Sequence, residues 1–421
     1  MSIFTRRTFF QGATMALSAA RVMGANDKIR IGIIGLGGRG TAHVGYYGRI
    51  ADAEITGLCD VNQAARERAQ ARLARANAPK AKEFVDMRKL YDDKDIDAVS
   101  IATPNHWHAL ATIWACRAGK DVYCEKPACH NVYEGRRMVA VARETKKMVQ
   151  IGSQGRSAAH KIKAMQMLKD GAIGKLYLAK GLCFKRRKSI GKTPTEPVPP
   201  GLDWDMFLGP AQYKEYSKNR FAYNWHWFWD TGNGDIGNQG VHEMDIARWG
   251  MGDPVSPKSV VSTGGKYIYD DDQETPNTQL ASFLYDGFEI VFEVRGLLTG
   301  PEAGVTIGDL FYGEDGWMSV DNRGFTAYKG ESSEKFAEER AQGDGVIQHM
   351  QNFLDACRSR DYTQLHADVA IGVASADLCH LANISYRTNK RLEWDDRNNK
   401  FVNAPDADKL LTRVYRKPYI V

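Results

Sequence analysis

The sequence predicts an α/β chain in two parts, a doubly wound parallel sheet followed by an α+β domain with a large, mostly antiparallel sheet. Three observations carry this reading. Short β-branched runs alternate with helical segments from Lys28 to Cys124, a glycine fingerprint closes the first of those runs, and a hairpin signal appears further on. At 421 residues there is room for two large domains. Apolar residues at 43% and charged residues at 26% exclude a disordered, collagen-like or coiled-coil chain.

Residues 1–25 are set aside as an address. Thr5-Arg6-Arg7-Thr8-Phe9-Phe10 precedes the small-residue run Gly12 to Ala20, a pattern that resembles a twin-arginine export signal. The alternative is a basic amphipathic tail. A twin-arginine signal implies a periplasmic or exported protein that leaves the cytoplasm folded, with any cofactor already loaded. After it, no apolar run is long enough to span a membrane.

The nucleotide-binding half is expected over residues 26–150. Lys28 to Gly35 reads as a strand, and Gly35-Leu36-Gly37-Gly38-Arg39-Gly40 is G-x-G-x-x-G opening a helix over about 41–50. Such glycines permit a tight turn, a close approach to a pyrophosphate and close packing of the helix. A strand over 54–59 ends in Asp60, whose carboxylate suits ribose hydroxyls and repels a 2′-phosphate, favouring NAD over NADP. A helix over 63–76, a strand over 98–102, a helix over about 108–117 and a strand over 121–124 continue the alternation. Ligands of such sheets bind beyond the strands' carboxyl ends. There stand Thr103-Pro104-Asn105-His106-Trp107-His108 and Glu125-Lys126-Pro127, with Lys126 a candidate proton donor or oxyanion stabiliser.

The second domain is expected over 151–421. A helix over 157–169 and a strand over 176–183 lead into a basic run, Lys185 to Lys188, that suits either an acidic sugar or a solvated loop. Phe221 to Trp229 holds six aromatics in nine residues around His226, either a floor for sugar rings or ordinary core. Strands over 279–285 and 288–295 flank Asp286-Gly287, which suits a type I′ turn, and helices over 346–358 and 368–386 close the chain.

The net charge of +6 is too weak to indicate nucleic acid. The seven scattered cysteines show no CxxC or Cys/His ligand spacing, so neither a disulfide framework nor a metal site is expected.

In combination and in this order, GLGGRG at 35–40, Asp60, TPNHWH at 103–108, EKP at 125–127, GSQGR at 152–156 and GNQGVHEMDIARW at 237–249 resemble the Gfo/Idh/MocA family of nicotinamide-dependent sugar and cyclitol oxidoreductases. The resemblance spans about residues 28–394. It implies a Rossmann domain, then an α+β domain whose open sheet closes the substrate site, as in glucose-fructose oxidoreductase. It also implies a homo-oligomer, dimer or tetramer. By this carry-over Lys126 and His242 form the catalytic pair, with Asn238 one turn before His242. The cofactor would be held by Gly35, Leu36, Gly37, Gly38, Arg39, Gly40, Asp60, Thr103, Pro104, Asn105, His108, Glu125, Lys126 and Gln154. Arg156, Tyr223, Trp225, His226, Asn238 and His242 would face the substrate. Family dehydrogenases often carry Asp where this chain has Asn238, and Asn supplies no charge to raise the pKa of His242. Asp245 can substitute in part or pair elsewhere.

The implied reaction is hydride transfer at a carbinol carbon of a carbohydrate or glycoside. Export favours a retained cofactor reoxidised within the cycle, either by coupled oxidation and reduction of two sugars or by redox-neutral glycoside hydrolysis through oxidation, elimination, hydration and re-reduction. A noncatalytic, NAD-containing sugar-binding protein is the reading from another class. Nucleic acid and, for the mature chain, membrane are not expected partners.

Overall fold

The computed structural model describes residues 28–421, so the predicted export signal lies outside the described residues. In the first half, β1 (Ile29–Ile34), α1 (Gly38–Tyr47), β2 (Ala53–Cys59), α2 (Gln63–Arg75), β3 (Lys82–Phe84), α3 (Met87–Asp92), β4 (Ala98–Ile101), α4 (Asn105–Arg117), β5 (Asp121–Cys124), α5 (Val132–Thr145) and β6 (Val149–Ile151) alternate in order. The six strands form one parallel sheet, β3-β2-β1-β4-β5-β6. This is a Rossmann sheet. β1, reading IRIGII, lies at its centre between β2 and β4, which is why both of its faces are apolar.

The second half comprises α6 (Ala159–Lys169), β7 (Leu176–Cys183), α7 (Trp204–Leu208), α8 (Gly234–Asn238), α9 (Gly240–Gly250), β8 (Ser259–Gly265), β9 (Thr278–Leu284), β10 (Glu289–Arg295), β11 (Ile307–Gly313), β12 (Gly316–Asp321), β13 (Gly324–Lys329), β14 (Glu334–Arg340), α10 (Val346–Ser359), α11 (Val369–Thr388), β15 (Leu392–Asp395), β16 (Lys400–Phe401) and α12 (Pro405–Asp408). Ten strands make a second sheet, β14-β13-β12-β11-β7-β10-β9-β8-β15-β16, antiparallel except where β10 runs parallel to β7. The β9–β10 hairpin turns at Asp286-Gly287. Only Gly287 has a positive φ, +81°, so the type I′ turn expected there does not form, because that turn needs positive φ at both central residues.

One face of this sheet buries Phe283, Phe292, Phe311 and Met318 beneath Val241, Met244 and Ala247 of α9 and Leu378, Leu381 and Ala382 of α11. Each such aromatic side chain contributes about 1.5–3 kcal/mol by burial. α10 instead crosses to the first sheet, where Val346, Met350, Phe353 and Leu354 join Ile31, Ile33 and Leu58 in one core. α11 serves both sheets, since its Val369, Val373 and Ala376 pack with Ile101, Val122 and Ile151. No helix among the described residues is long and apolar enough to cross a membrane. All seven cysteines are free and buried.

Candidate active site

The turn after β1 is built as the glycine spacing requires. Gly35 has φ +81°, and a Cβ on Gly40 would lie 1.7 Å from the Gly35 carbonyl oxygen, so α1 closes tightly onto the turn. A Cβ on Gly37 or Gly38 would meet nothing within 4 Å. These two glycines face a cavity of about 800 Å³. No side chain caps α1, so its first-turn amides are available to an anion there. Asp60 lines the same cavity, and its carboxylate accepts hydrogen bonds from the Leu36 and Asn62 amides at 2.5 and 2.8 Å. Burial nonetheless leaves its carboxyl above the usual range. Open glycines, free helix amides and a strand-end carboxylate on one cavity fit a dinucleotide. Gly40→Ala is expected to force α1 away from Gly35 at about 1–3 kcal/mol and to strip bound nucleotide, read as nucleotide released on denaturation. An unchanged occupancy would refute that role for the turn.

Beside this turn α4 begins at Asn105, three residues earlier than the sequence reading, because Pro104 takes the position that caps its first turn. Thr103, Pro104, Asn105 and His108 line the cavity. Asn105 Nδ2 donates to Asn233 Oδ1 at 3.0 Å, and the His108 ring bridges the carbonyls of Thr103 and Pro127 at 2.8 and 2.7 Å.

Glu125 is buried and receives Arg39 Nε at 2.7 Å and His43 Nε2 at 3.0 Å. His43 Nδ1 in turn meets the Ser100 hydroxyl at 2.8 Å, so a neutral ring with its proton on Nε2 satisfies both contacts. Burial opposes ionisation of Glu125, yet the Arg39 guanidinium and His43 hold its carboxyl well below the usual range. The chain thus continues into Lys126 from a fixed anion.

Lys126 Nζ donates to the Asn238 carbonyl at 2.9 Å and lies 3.5 Å from Asn238 Oδ1. Asn238 Nδ2 donates to the Tyr223 hydroxyl at 3.1 Å, which also accepts from Arg187 Nη1 at 3.0 Å. Arg187 is paired with buried Asp235 at 2.6 Å. Asn238 therefore serves Lys126, and a carboxylate there would pair with the ammonium. Burial lowers the pKa of the Lys126 ammonium. Burial, with the Lys126 charge adding to it, holds His242 well below 6.5, so its imidazole is neutral at neutral pH. His242 follows Asn238 by four residues and, half-buried, is not among the residues that line the cavity, although the sequence reading has it facing the substrate.

The aromatic run divides between both readings offered for it. Tyr223, Trp225 and His226 line the cavity, with the Trp225 and His226 rings stacked at 3.6 Å, whereas Trp227 and Phe228 are buried. In the basic run Arg186 and Lys188 are exposed, as a solvated loop requires, while Lys185 Nζ donates to Gln239 Oε1 at 3.1 Å and Arg187 pairs with Asp235, contacts that neither reading foresees.

Of the expected site residues, Leu36, Gly40, Gln154 and Arg156, like His242, are not among those that line the cavity. Arg156 is buried, with Nε on Asp245 at 2.8 Å, Nη2 on Asp253 at 2.7 Å and its guanidinium over Trp249, so none of its donors is free for substrate. Asp245, spent on Arg156 and Ser375, does not support His242. Gln154 lies in a 3₁₀ turn outside the cavity lining. Sequence reasoning missed His43, Ser100, Arg187 and Asp235. Their partners lie 82 and 57 residues away for His43 and 48 for Arg187, and no local pattern marks such pairs.

Residues 29–153 match the family model described as an oxidoreductase family, NAD-binding Rossmann fold, and residues 180–421 match that family's C-terminal alpha/beta domain. The chain belongs to the Gfo/Idh/MocA oxidoreductase family. Within it, the chain is 31% identical over 154 residues to a glycosyl hydrolase family 109 protein of Shewanella sp. strain W3-18-1 and 30% identical to one of Shewanella baltica strain OS155. These matches cover 36% of the chain and 34% of each relative, so the chain matches about a third of their length. Among solved structures it resembles the WlbA dehydrogenase from Bordetella pertussis in complex with NADH and UDP-GlcNAcA, with TM-score 0.67 and 21% identity, covering 87% of this chain and 99% of that one. It also resembles the aldose-aldose oxidoreductase from Caulobacter crescentus complexed with glycerol, with TM-score 0.66 and 18% identity, covering 87% and 100%. These two likenesses concern the Gfo/Idh/MocA fold.

Proposed function

We propose that this protein is an exported, NAD-dependent oxidoreductase that transfers hydride at a carbinol carbon of a carbohydrate or glycoside and keeps its cofactor through the cycle. The observation that carries the reading is the Lys126–Asn238–Tyr223 chain on the same cavity that Asp60 and the glycine turn line. The nicotinamide supplies a hydride acceptor and donor when bound. Lys126 Nζ, held by Asn238, meets the substrate hydroxyl and handles its proton, and neutral His242 receives a proton in turn. Tyr223, Trp225 and His226 offer ring faces to the sugar. Asp60 supports NAD over NADP, because its carboxylate repels a 2′-phosphate. The residue 1–25 pattern supports periplasmic export. Val261, Leu280 and Leu284, exposed on the outer face of the second sheet, support a homo-oligomer.

The glycosyl hydrolase relatives favour a second reading, redox-neutral glycoside cleavage. There the chain moves two protons, one from the hydroxyl and one from the carbon acidified by the transient ketone. Purified protein is to be denatured to identify its nucleotide, and the intact protein given nitrophenyl glycosides without added cofactor. Aglycone release supports cleavage. NADH accumulating with sugar and added NAD sinks the closed cycle in both forms, and no turnover of any sugar or glycoside sinks the enzyme reading.

Since burial lowers the His242 pKa, the acidic limb of kcat/KM is expected well below pH 6.5, with activity flat through neutrality. A limb centred near 6.5 would mean that a solvent-exposed group, not this His, is the base.

A further inference from the structure

On the far side of the Lys126 segment, three potential ligands converge from distant parts of the chain. Cys129 follows β5 by five residues, while Asp377 and His380 lie three apart on α11, a spacing that sets both on one helical face. Their ligand atoms all lie within 4.8 Å of one another. Cys129 Sγ and His380 Nε2 are 3.5 Å apart although 251 residues separate them in sequence. Tetrahedral zinc, with Zn–S about 2.3 Å and Zn–N about 2.1 Å, places sulfur and nitrogen about 3.6 Å apart.

A thiol–imidazole hydrogen bond accounts for that one contact and leaves the carboxylate unexplained. Asp377 Oδ1 is shut off from solvent with no hydrogen-bond partner, although a buried carboxylate oxygen ordinarily has one. Cys129 and His380 are themselves buried, and His380 also lines a second cavity of about 260 Å³.

The geometry points to a zinc-class divalent cation site formed by Cys129, Asp377 and His380, with the fourth position taken by water. Thiolate and imidazole select a borderline-soft ion over magnesium or calcium. On coordination the Cys129 thiol proton passes to solvent, and a 2+ ion with one thiolate and one carboxylate makes a site of no net charge in the interior. The ion would staple α11 to the segment that carries Lys126, in a place distinct from the dinucleotide cavity.

The test uses the full chain, free of any affinity tag and stripped with chelator, and titrates it with Zn²⁺ by calorimetry and with Co²⁺ by absorbance. One equivalent of Zn²⁺ per chain, a raised melting temperature and a thiolate-to-cobalt charge-transfer band are expected. The band should vanish in Cys129→Ser, and stoichiometric Zn²⁺ should be lost in His380→Ala. Absence of binding by the stripped wild-type chain overturns the proposal, as does a cobalt complex without a thiolate band or a band that survives in Cys129→Ser. The wild-type spectrum decides the matter even if a variant fails to fold.

Discussion

Lys126→Met should leave a folded, nucleotide-loaded protein whose kcat falls by about 10²–10⁴-fold, the range for removing a positioned proton-transfer group. Methionine keeps the length and apolar stem of the side chain, so the packing beneath it persists while the donor to Asn238 is lost. Asn238 retains a partner in Tyr223, and Glu125 retains Arg39 and His43, so neither collapses into the vacancy. KM should change much less than kcat, because the contacts from Tyr223 and Trp225 remain. Nucleotide content by denaturation and turnover of the preferred sugar or glycoside are the two measurements. Unchanged turnover in a loaded variant would return the chain to the class of sugar-binding proteins.

Arg156→Met is expected to act on stability, by about 3–5 kcal/mol, because it strands Asp245 in the interior. Asp245 is 1% exposed and keeps only the Ser375 hydroxyl once the guanidinium is gone, while Asp253 also loses its bidentate partner. Arg156→Lys should recover part of the loss, since one ammonium cannot serve both carboxylates in the fork geometry of arginine. Thermal melts of the three proteins give the stability, and KM of the folded variants separates this role from the substrate contact implied by sequence resemblance. A large rise in KM with an unchanged melting midpoint would overturn the structural assignment.

Arg156 illustrates what was legible in the sequence and what was not. The glycine turn, Asp60 and the two polar strand tips could be read because each is a local pattern whose spacing carries its chemistry, and the hairpin at Asp286-Gly287 likewise. Arg156 stood in such a pattern, but its function depends on carboxylates 89 and 97 residues away, which no local spacing reports. The relay from Ser100 through His43 to Glu125 escaped notice for the same reason. β6 and β3, three residues each, are too short to show an alternation. The start of α4 was misplaced because Asn105, His106 and Trp107 look like loop residues. They are in fact buried, and His106 and Trp107 both reach the Phe207 carbonyl about 100 residues on. At Asn238 the departure from the family's usual carboxylate was visible, while its partner, Lys126, was not.

The crossing of α10 and α11 onto the first sheet has a consequence for the order of synthesis. The Rossmann strands and α1 to α5 are all made by residue 151, but the core around Ile31, Ile33 and Leu58 is completed only with residues 346–365, and that around Ile151 with 369–376. At about 5–20 residues per second the ribosome needs roughly 10–40 s to cover that interval. Throughout it both cores of the nascent sheet, already lined by α1 to α5, lack the side chains that α10 and α11 bring, so the nucleotide-binding half reaches its full packing only with the rest. Helices made late in synthesis thus finish a core begun at its start.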